Sequence, residues 1–238
     1  MEEKLERLDK IIAKQGKYSR KEVKKLVCAG RISIDGEKIN KSDIKIDFNK
    51  TKIQIDGIEI KIKNDIYLIL NKPKGYISAT EDKKDKTVLD LVPEKLFHKS
   101  LFPAGRLDKD TTGLMILTND GNFAHNILTP KKHIKKAYKV EIDVKMTEEM
   151  VKAFESGVML NDGVCKPSKL EIIGENLGIV TLTEGRYHQI KRMFGCFGAK
   201  VINLHRISMG NLKLPEDLKP GECRELTEEE LKKLQEKI

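Results

Sequence analysis

The sequence predicts an α+β protein in two unequal domains, a small one over residues 1–62 and a larger one over residues 63–238, the larger built on a mostly antiparallel sheet flanked by helices. Three observations predict it. Apolar residues recur at helical spacing near the N-terminus; from Ile32 to Ile62 the period becomes alternating; beyond Ile66 the two periods mix without the regular strand–helix alternation of a doubly wound sheet. At 238 residues the chain is long enough for two cores. The polar break Lys63-Asn64-Asp65 is where it divides.

Taken in order, Leu5, Leu8, Ile11 and Ile12 predict a first short helix that Gly16 stops. Ser19 and Glu22 have the spacing of a capping box for a second helix, whose apolar stripe is Val23, Leu26 and Val27 and whose stop is Gly30. Alternating isoleucines then mark short strands: Ile32 and Ile34, Ile44 and Ile46, Ile53 and Ile55, and Ile58, Ile60 and Ile62. Asp35-Gly36 and Asp56-Gly57 are hairpin turns between them. In the larger domain, strands are expected at Ile66 to Leu70, Leu114 to Leu117, Ala137 to Val144 and Ile179 to Thr183. Helices are expected at Asn122 to Leu128, Glu148 to Phe154 and His188 to Phe197, with a last helix behind the Thr227/Glu230 capping box.

Lysine and arginine number 46 against 37 acidic residues, a net charge of +9, which favours a polyanionic partner and nucleic acid first. With no tryptophan and 5% aromatic residues, affinity for such a partner rests on Lys and Arg rather than on stacking. Lys17, Arg20, Lys21, Lys24, Lys25 and Arg31 surround the apolar stripe of the second helix and are the candidate RNA-binding residues; a helix of solvated lysines would read the same way. Cys28, Cys165, Cys196 and Cys223 lack the close pairing of a metal or redox site, so no metal is expected. No apolar run approaches the ~18 residues that span a bilayer. A cytoplasmic monomer with no membrane partner is the expectation.

Gly105-Arg106-Leu107-Asp108-Lys109-Asp110-Thr111-Thr112-Gly113-Leu114 places an acidic side chain between basic neighbours just before an apolar strand, the setting of a nucleophile or base. Asp108 pairing with Arg106 in an ordinary turn is the alternative. Asn71-Lys72-Pro73-Lys74-Gly75 and Thr87-Val88-Leu89-Asp90-Leu91 precede this loop; Lys136-Ala137-Tyr138 and Gly185-Arg186-Tyr187-His188-Gln189-Ile190-Lys191-Arg192-Met193 follow it. In that order, over residues 66 to 214, these segments resemble the pseudouridine synthases, in the branch of ribosomal small-subunit enzyme A. Leu8-Asp9-Lys10, Ser19-Arg20 and Ala29-Gly30-Arg31 through Asp35-Gly36 resemble the small RNA-binding domain shared with a ribosomal protein.

The resemblance implies a cofactor-free isomerisation of a uridine in rRNA, acting on rRNA or a partly assembled small subunit. It implies that Asp108 is the catalytic carboxylate, which attacks the uridine or removes a sugar proton; that Tyr138 stacks on the base and takes the final proton; and that Lys191 pairs with Asp108. Arg106 then holds the target outside the helical stack, with Leu107 beside it, and Leu204 packs beneath the uracil. His188 and Gln189 are further substrate contacts, and Arg192 stands in reserve for Lys191 although it should face elsewhere on the helix. Three rivals remain: a large-subunit rRNA target, a non-enzymatic assembly factor, and a metal-dependent nuclease using Asp108, Asp110 and Asp120.

Overall fold

The structure is a computed structural model that describes residues 5–15, 17–48, 50–60, 65–129 and 134–235. The chain forms two compact units, one running to Ile66 and including His98–Leu101, the other comprising Tyr67–Phe97 and the chain from Phe102 onward. The division expected after residue 62, the expected Gly16 stop and the alternation at Ile62 lie outside the described residues.

In the first unit, β1 (Glu6–Arg7), α1 (Leu8–Lys14), α2 (Arg20–Cys28), β2 (Ile32–Ile34), β3 (Glu37–Lys38), β4 (Lys45–Ile46), β5 (Ile53–Ile55) and β6 (Ile58–Glu59) follow one another. Four strands make a sheet in the order β3-β2-β5-β6, while β1 pairs with β4. The second helix starts as its sequence predicts: Glu22 N–H donates to Ser19 Oγ and Ser19 N–H donates to Glu22 Oε2, at 3.3 and 2.7 Å. Val23, Leu26 and Val27 are buried with Leu8, Ile11 and Ile12 against Ile32, Ile53 and Ile55. Both Asp-Gly pairs carry positive φ at both residues, the requirement of a tight hairpin whose twist matches its strands. Leu5 departs from the expected helix. Because Glu6 and Arg7 pair across to β4, the helix begins at Leu8 and Leu5 is left 53% exposed. Ile58 likewise lies outward, whereas Ile60 packs on the core.

The second unit runs β7 (Tyr67–Lys72), β8 (Phe102–Pro103), β9 (Thr112–Thr118), α3 (Gly121–Leu128), β10 (Lys136–Ile142), α4 (Glu148–Ser156), β11 (Met159–Leu160), β12 (Gly163–Val164), β13 (Lys169–Ile172), β14 (Leu177–Leu182), α5 (Gln189–Gly195), β15 (Val201–Met209), β16 (Leu212–Lys213), β17 (Cys223–Glu225) and α6 (Glu228–Gln235). Its sheet has the order β13-β14-β10-β15-β9-β7-β17, with β16 beside β15 and β8 beside β9. The expected α+β class holds. Every described pairing in this sheet is antiparallel except one, the short parallel contact of β15 with β9 through His205/Thr112 and Arg206/Gly113. At that seam Gly113 has φ +102°, and a Cβ there would overlap the Arg206 carbonyl oxygen, so no side chain fits.

Leu68, Ile69 and Leu70 on β7 and Leu114 to Leu117 on β9 are all completely buried, which explains why these strands read as apolar runs rather than alternations. Burying each such side chain is worth ~1.5–3 kcal/mol against leaving it in water. The strand expected to end at Leu70 continues to Lys72, since Asn71 Nδ2 donates to Leu218 O and Lys72 is itself enclosed. The helix expected from His188 starts one residue later, because His188 adopts a left-handed conformation at φ +48°. Strands β13, β15 and β17 are not predicted by the sequence pattern. No helix among the described residues is long and apolar enough to cross a membrane.

Candidate active site

The Asp108 loop links β8 to β9 and is held on two sides. Ser78 Oγ donates to Leu107 O at 2.7 Å and accepts from Leu107 N–H at 2.9 Å. From the end of β7, the three ammonium protons of Lys72 are shared among the carbonyls of Thr111 at 2.7 Å, Asp108 at 2.9 Å, Pro73 at 3.2 Å and Lys109 at 3.3 Å. Burial pushes this ammonium down to about 8, with Asp110 and Asp108 opposing. A loop tied through its own carbonyls holds its side chains in fixed directions. The Asp108 carboxylate lines a pocket of about 640 Å³ together with Leu107, Tyr138, Lys191 and Leu204. That is within the ~300–1,000 Å³ common for small-molecule sites and suits one nucleotide.

Lys191 on α5 reaches Asp108 Oδ2 at 3.3 Å and Asp110 at 2.6 and 2.8 Å. Burial pulls the Lys191 ammonium down, but the hydrogen bond from Lys191 to Asp110 and the Asp108 charge outweigh it and hold the group above its ordinary value. Against its own burial, the same hydrogen bond lowers Asp110. His188 Nε2 lies 3.5 Å from Asp108 Oδ1, its ring stacked on the exposed ring of Tyr187 at 3.8 Å between centroids. Tyr138 is 8% exposed on β10, and Leu204 is buried on the neighbouring strand β15. Arg106 stands exposed at the pocket rim.

Three expected residues have other engagements. Arg192 pairs with Asp162 at 2.9 and 3.2 Å and does not line the pocket, because consecutive residues on a helix project about 100° apart; it is no substitute for Lys191 there. Gln189 lines the pocket with both ends of its amide used inside the preceding turn, donating to Glu184 and accepting from Arg186 N–H. In the first unit Lys17, Arg20, Lys21, Lys24 and Lys25 are exposed, whereas the Arg31 guanidinium is clasped by Asp56 through two hydrogen bonds and braces a turn.

The three aspartates of the nuclease reading do not gather. Asp120 accepts from Asn122 N–H and Phe123 N–H as the cap of α3 and from the Tyr67 hydroxyl, and Asp110 is taken by Lys191. Among the described residues no three His, Cys, Asp or Glu side chains form a cluster fit for a metal.

Sequence reasoning missed Lys72, Lys136 and Arg206. Lys72 and Lys74 stand two apart in one motif with nothing local to say which is enclosed. For Lys136 a signal existed: it lies two residues before Tyr138, so on a strand both share a face.

Asp108, its ammonium partner Lys191 and the buried Tyr138 lie together in a part of the chain that matches a class of RNA-modifying enzymes. The profile of the RNA pseudouridylate synthase family matches residues 66–195, and that of the S4 domain matches residues 6–51. An uncharacterized RNA pseudouridine synthase of Bacillus subtilis (strain 168) is 44% identical over 97% of this chain and 98% of its own. Ribosomal small subunit pseudouridine synthase A of Escherichia coli (strain K12) is 39% identical over 94% and 98%. A pseudouridylate synthase crystal structure superposes with a TM-score of 0.69 at 37% identity, covering 96% of this chain and 99% of the other. The chain belongs to the RNA pseudouridylate synthase family and carries an N-terminal S4 domain; it is an isomerase that acts on RNA.

Proposed function

We propose that this enzyme isomerises one uridine of small-subunit rRNA, free or in a partly assembled subunit, with Asp108 as the catalytic carboxylate and no cofactor. The observation that carries the reading is the meeting of Asp108, Lys191 and Tyr138 in one nucleotide-sized pocket. The reaction breaks the bond from C1′ to N1, turns the uracil, joins C5 to C1′ and removes the C5 proton. Lys191 holds the carboxylate by charge. Tyr138 offers an aromatic face to the base and a hydroxyl for the departing proton, Leu107 and Leu204 supply apolar walls, and Arg106 contacts the extruded nucleotide's backbone. The exposed lysines of α2 grip phosphates. The small-subunit target is supported by the similarity to enzymes named for that subunit.

The test is tritium release from small- and large-subunit rRNA labelled at uracil C5, followed by mapping of the product. Release from small-subunit rRNA is expected, with Asp108→Asn slower by on the order of 10⁴-fold or more. Full activity of Asp108→Asn overturns the catalytic assignment; release from large-subunit rRNA alone overturns the target.

A further inference from the structure

Two cations form part of the pocket lining without a carboxylate between them. Arg206 on β15 is 2% exposed, and Lys136 on β10 is 9% exposed. Arg206 Nε donates to Leu114 O at 2.6 Å, but its Nη2 is buried without a hydrogen-bond partner. Lys136 Nζ makes one long contact, 3.4 Å to Ile134 O, and its remaining protons have no acceptor among the described residues. Burial, followed by the Arg206 charge, pushes the Lys136 ammonium down to about 8. Buried cationic donors left unsatisfied are costly and rare in native proteins, so a pair of them lining a cavity calls for an acceptor within it.

The position of the pair says which acceptor. Both side chains are as buried as Tyr138 and Leu204, whose aromatic and apolar surfaces suit a base, and Tyr138 faces Arg206 across the β10–β15 pairing. The rim is exposed and carries Arg106 and Tyr187. A nucleotide drawn from a strand keeps its phosphates near the rim, with the strand, and sends its base inward.

We propose that Lys136 and Arg206 bind the carbonyl oxygens of the target uracil and stabilise the negative charge that the base carries after it separates from the sugar. This rests on the function proposed above and deepens it. Whether Asp108 attacks C1′ or removes a sugar proton, the C1′–N1 bond breaks with its electron pair remaining on the uracil, and that charge spreads over N1, O2 and O4. The electron pair at C5 then forms the bond to C1′ as the Asp108–C1′ ester bond breaks or, on the other route, as Asp108 returns the proton to C2′; C5 loses its proton to a base, and N1 takes up a proton. Asp108 offsets the electron deficiency at the sugar; Lys136 and Arg206 offset the excess on the base. A fixed cationic pair in a water-poor pocket favours the detached anion over the bound neutral uridine, which is the condition for accelerating the step rather than tightening binding.

Single-turnover tritium release and RNA affinity, measured on the wild-type chain, Lys136→Met and Lys136→Arg, test this. For Lys136→Met the rate is expected to fall ~100–1,000-fold, as on removal of one donor to a developing anion. Its RNA affinity is expected within about twofold of wild type, because the contact to a neutral carbonyl is weak beside the many phosphate contacts and strengthens only as the base becomes anionic. Lys136→Arg should recover at least tenfold of the lost rate. Lys136→Gln, which keeps polarity without charge, carries the same expectation as the Met variant if the latter melts much earlier than wild type. A wild-type rate in both neutral variants overturns the proposal. So does a loss confined to affinity with a smaller salt slope, which would make the pair a phosphate site. If the wild type releases no tritium from either rRNA, the proposed function falls and takes this inference with it. Wild-type release with unaffected neutral variants sinks the cationic pair alone.

Discussion

The two units use the same residue types in opposite ways. On α2 the lysines are exposed and form no salt bridge among the described residues, and their value to a polyanion depends on number and salt. In the second unit Lys72, Lys136, Lys191 and Arg206 are wholly or partly enclosed, and each acts through a particular atom: a loop carbonyl, a carboxylate, or an unfilled donor position. A cation in high dielectric is interchangeable with its neighbours, and a cation in low dielectric is not. Arg31 shows that location in the first unit alone does not make a residue a phosphate contact, since Asp56 already occupies it.

The contrast can be broken most severely at the seam of the larger sheet. Gly113→Ala should cost ~3 kcal/mol or more, read as a drop in the denaturant midpoint, because a Cβ overlaps the Arg206 backbone and the φ of +102° is strained for alanine. An unchanged midpoint would mean that β9 and β15 are not so close. Next in size, Lys72→Met removes the donor shared by four carbonyls and should destabilise by ~2–3 kcal/mol, with activity reduced at saturating RNA because the Asp108 loop loses its anchor. A change in RNA affinity without either effect would place Lys72 with the surface cations. The smallest effects belong to α2: Lys21→Ala and Lys24→Ala together should weaken RNA binding several-fold and reduce the salt slope by about 1–2, with turnover at saturation unchanged. An unaltered slope would return α2 to a merely solvated face.

The same contrast governs what could be read from the sequence. The α2 cap, the Asp-Gly hairpins and the Asp108 loop are local patterns, and the structure forms each of those local elements. Leu5 escaped its predicted helix because β4, some forty residues away in the chain, holds Glu6 and Arg7 extended. Strand β15 went unpredicted because its burial depends on partners on both sides, β10 and β9, which no window of ten residues contains. Lys72 and Arg206 stand out by enclosure, a property conferred by distant strands. His188 is a further case: its left-handed backbone follows from the turn that Gln189 and Glu184 lock, and sequence spacing alone put it inside the helix.

The two-residue parallel seam also sets an order of assembly. It joins Thr112 to His205 across 93 positions of chain, while the sheet of the first unit closes within residues 32 to 59. Contacts between near neighbours in sequence form sooner than those between distant ones, and a chain made from its N-terminus supplies the former first. During synthesis the S4 unit therefore matures while residues of the seam are still missing, and the carboxylate loop gains its opposite wall only when β15 arrives.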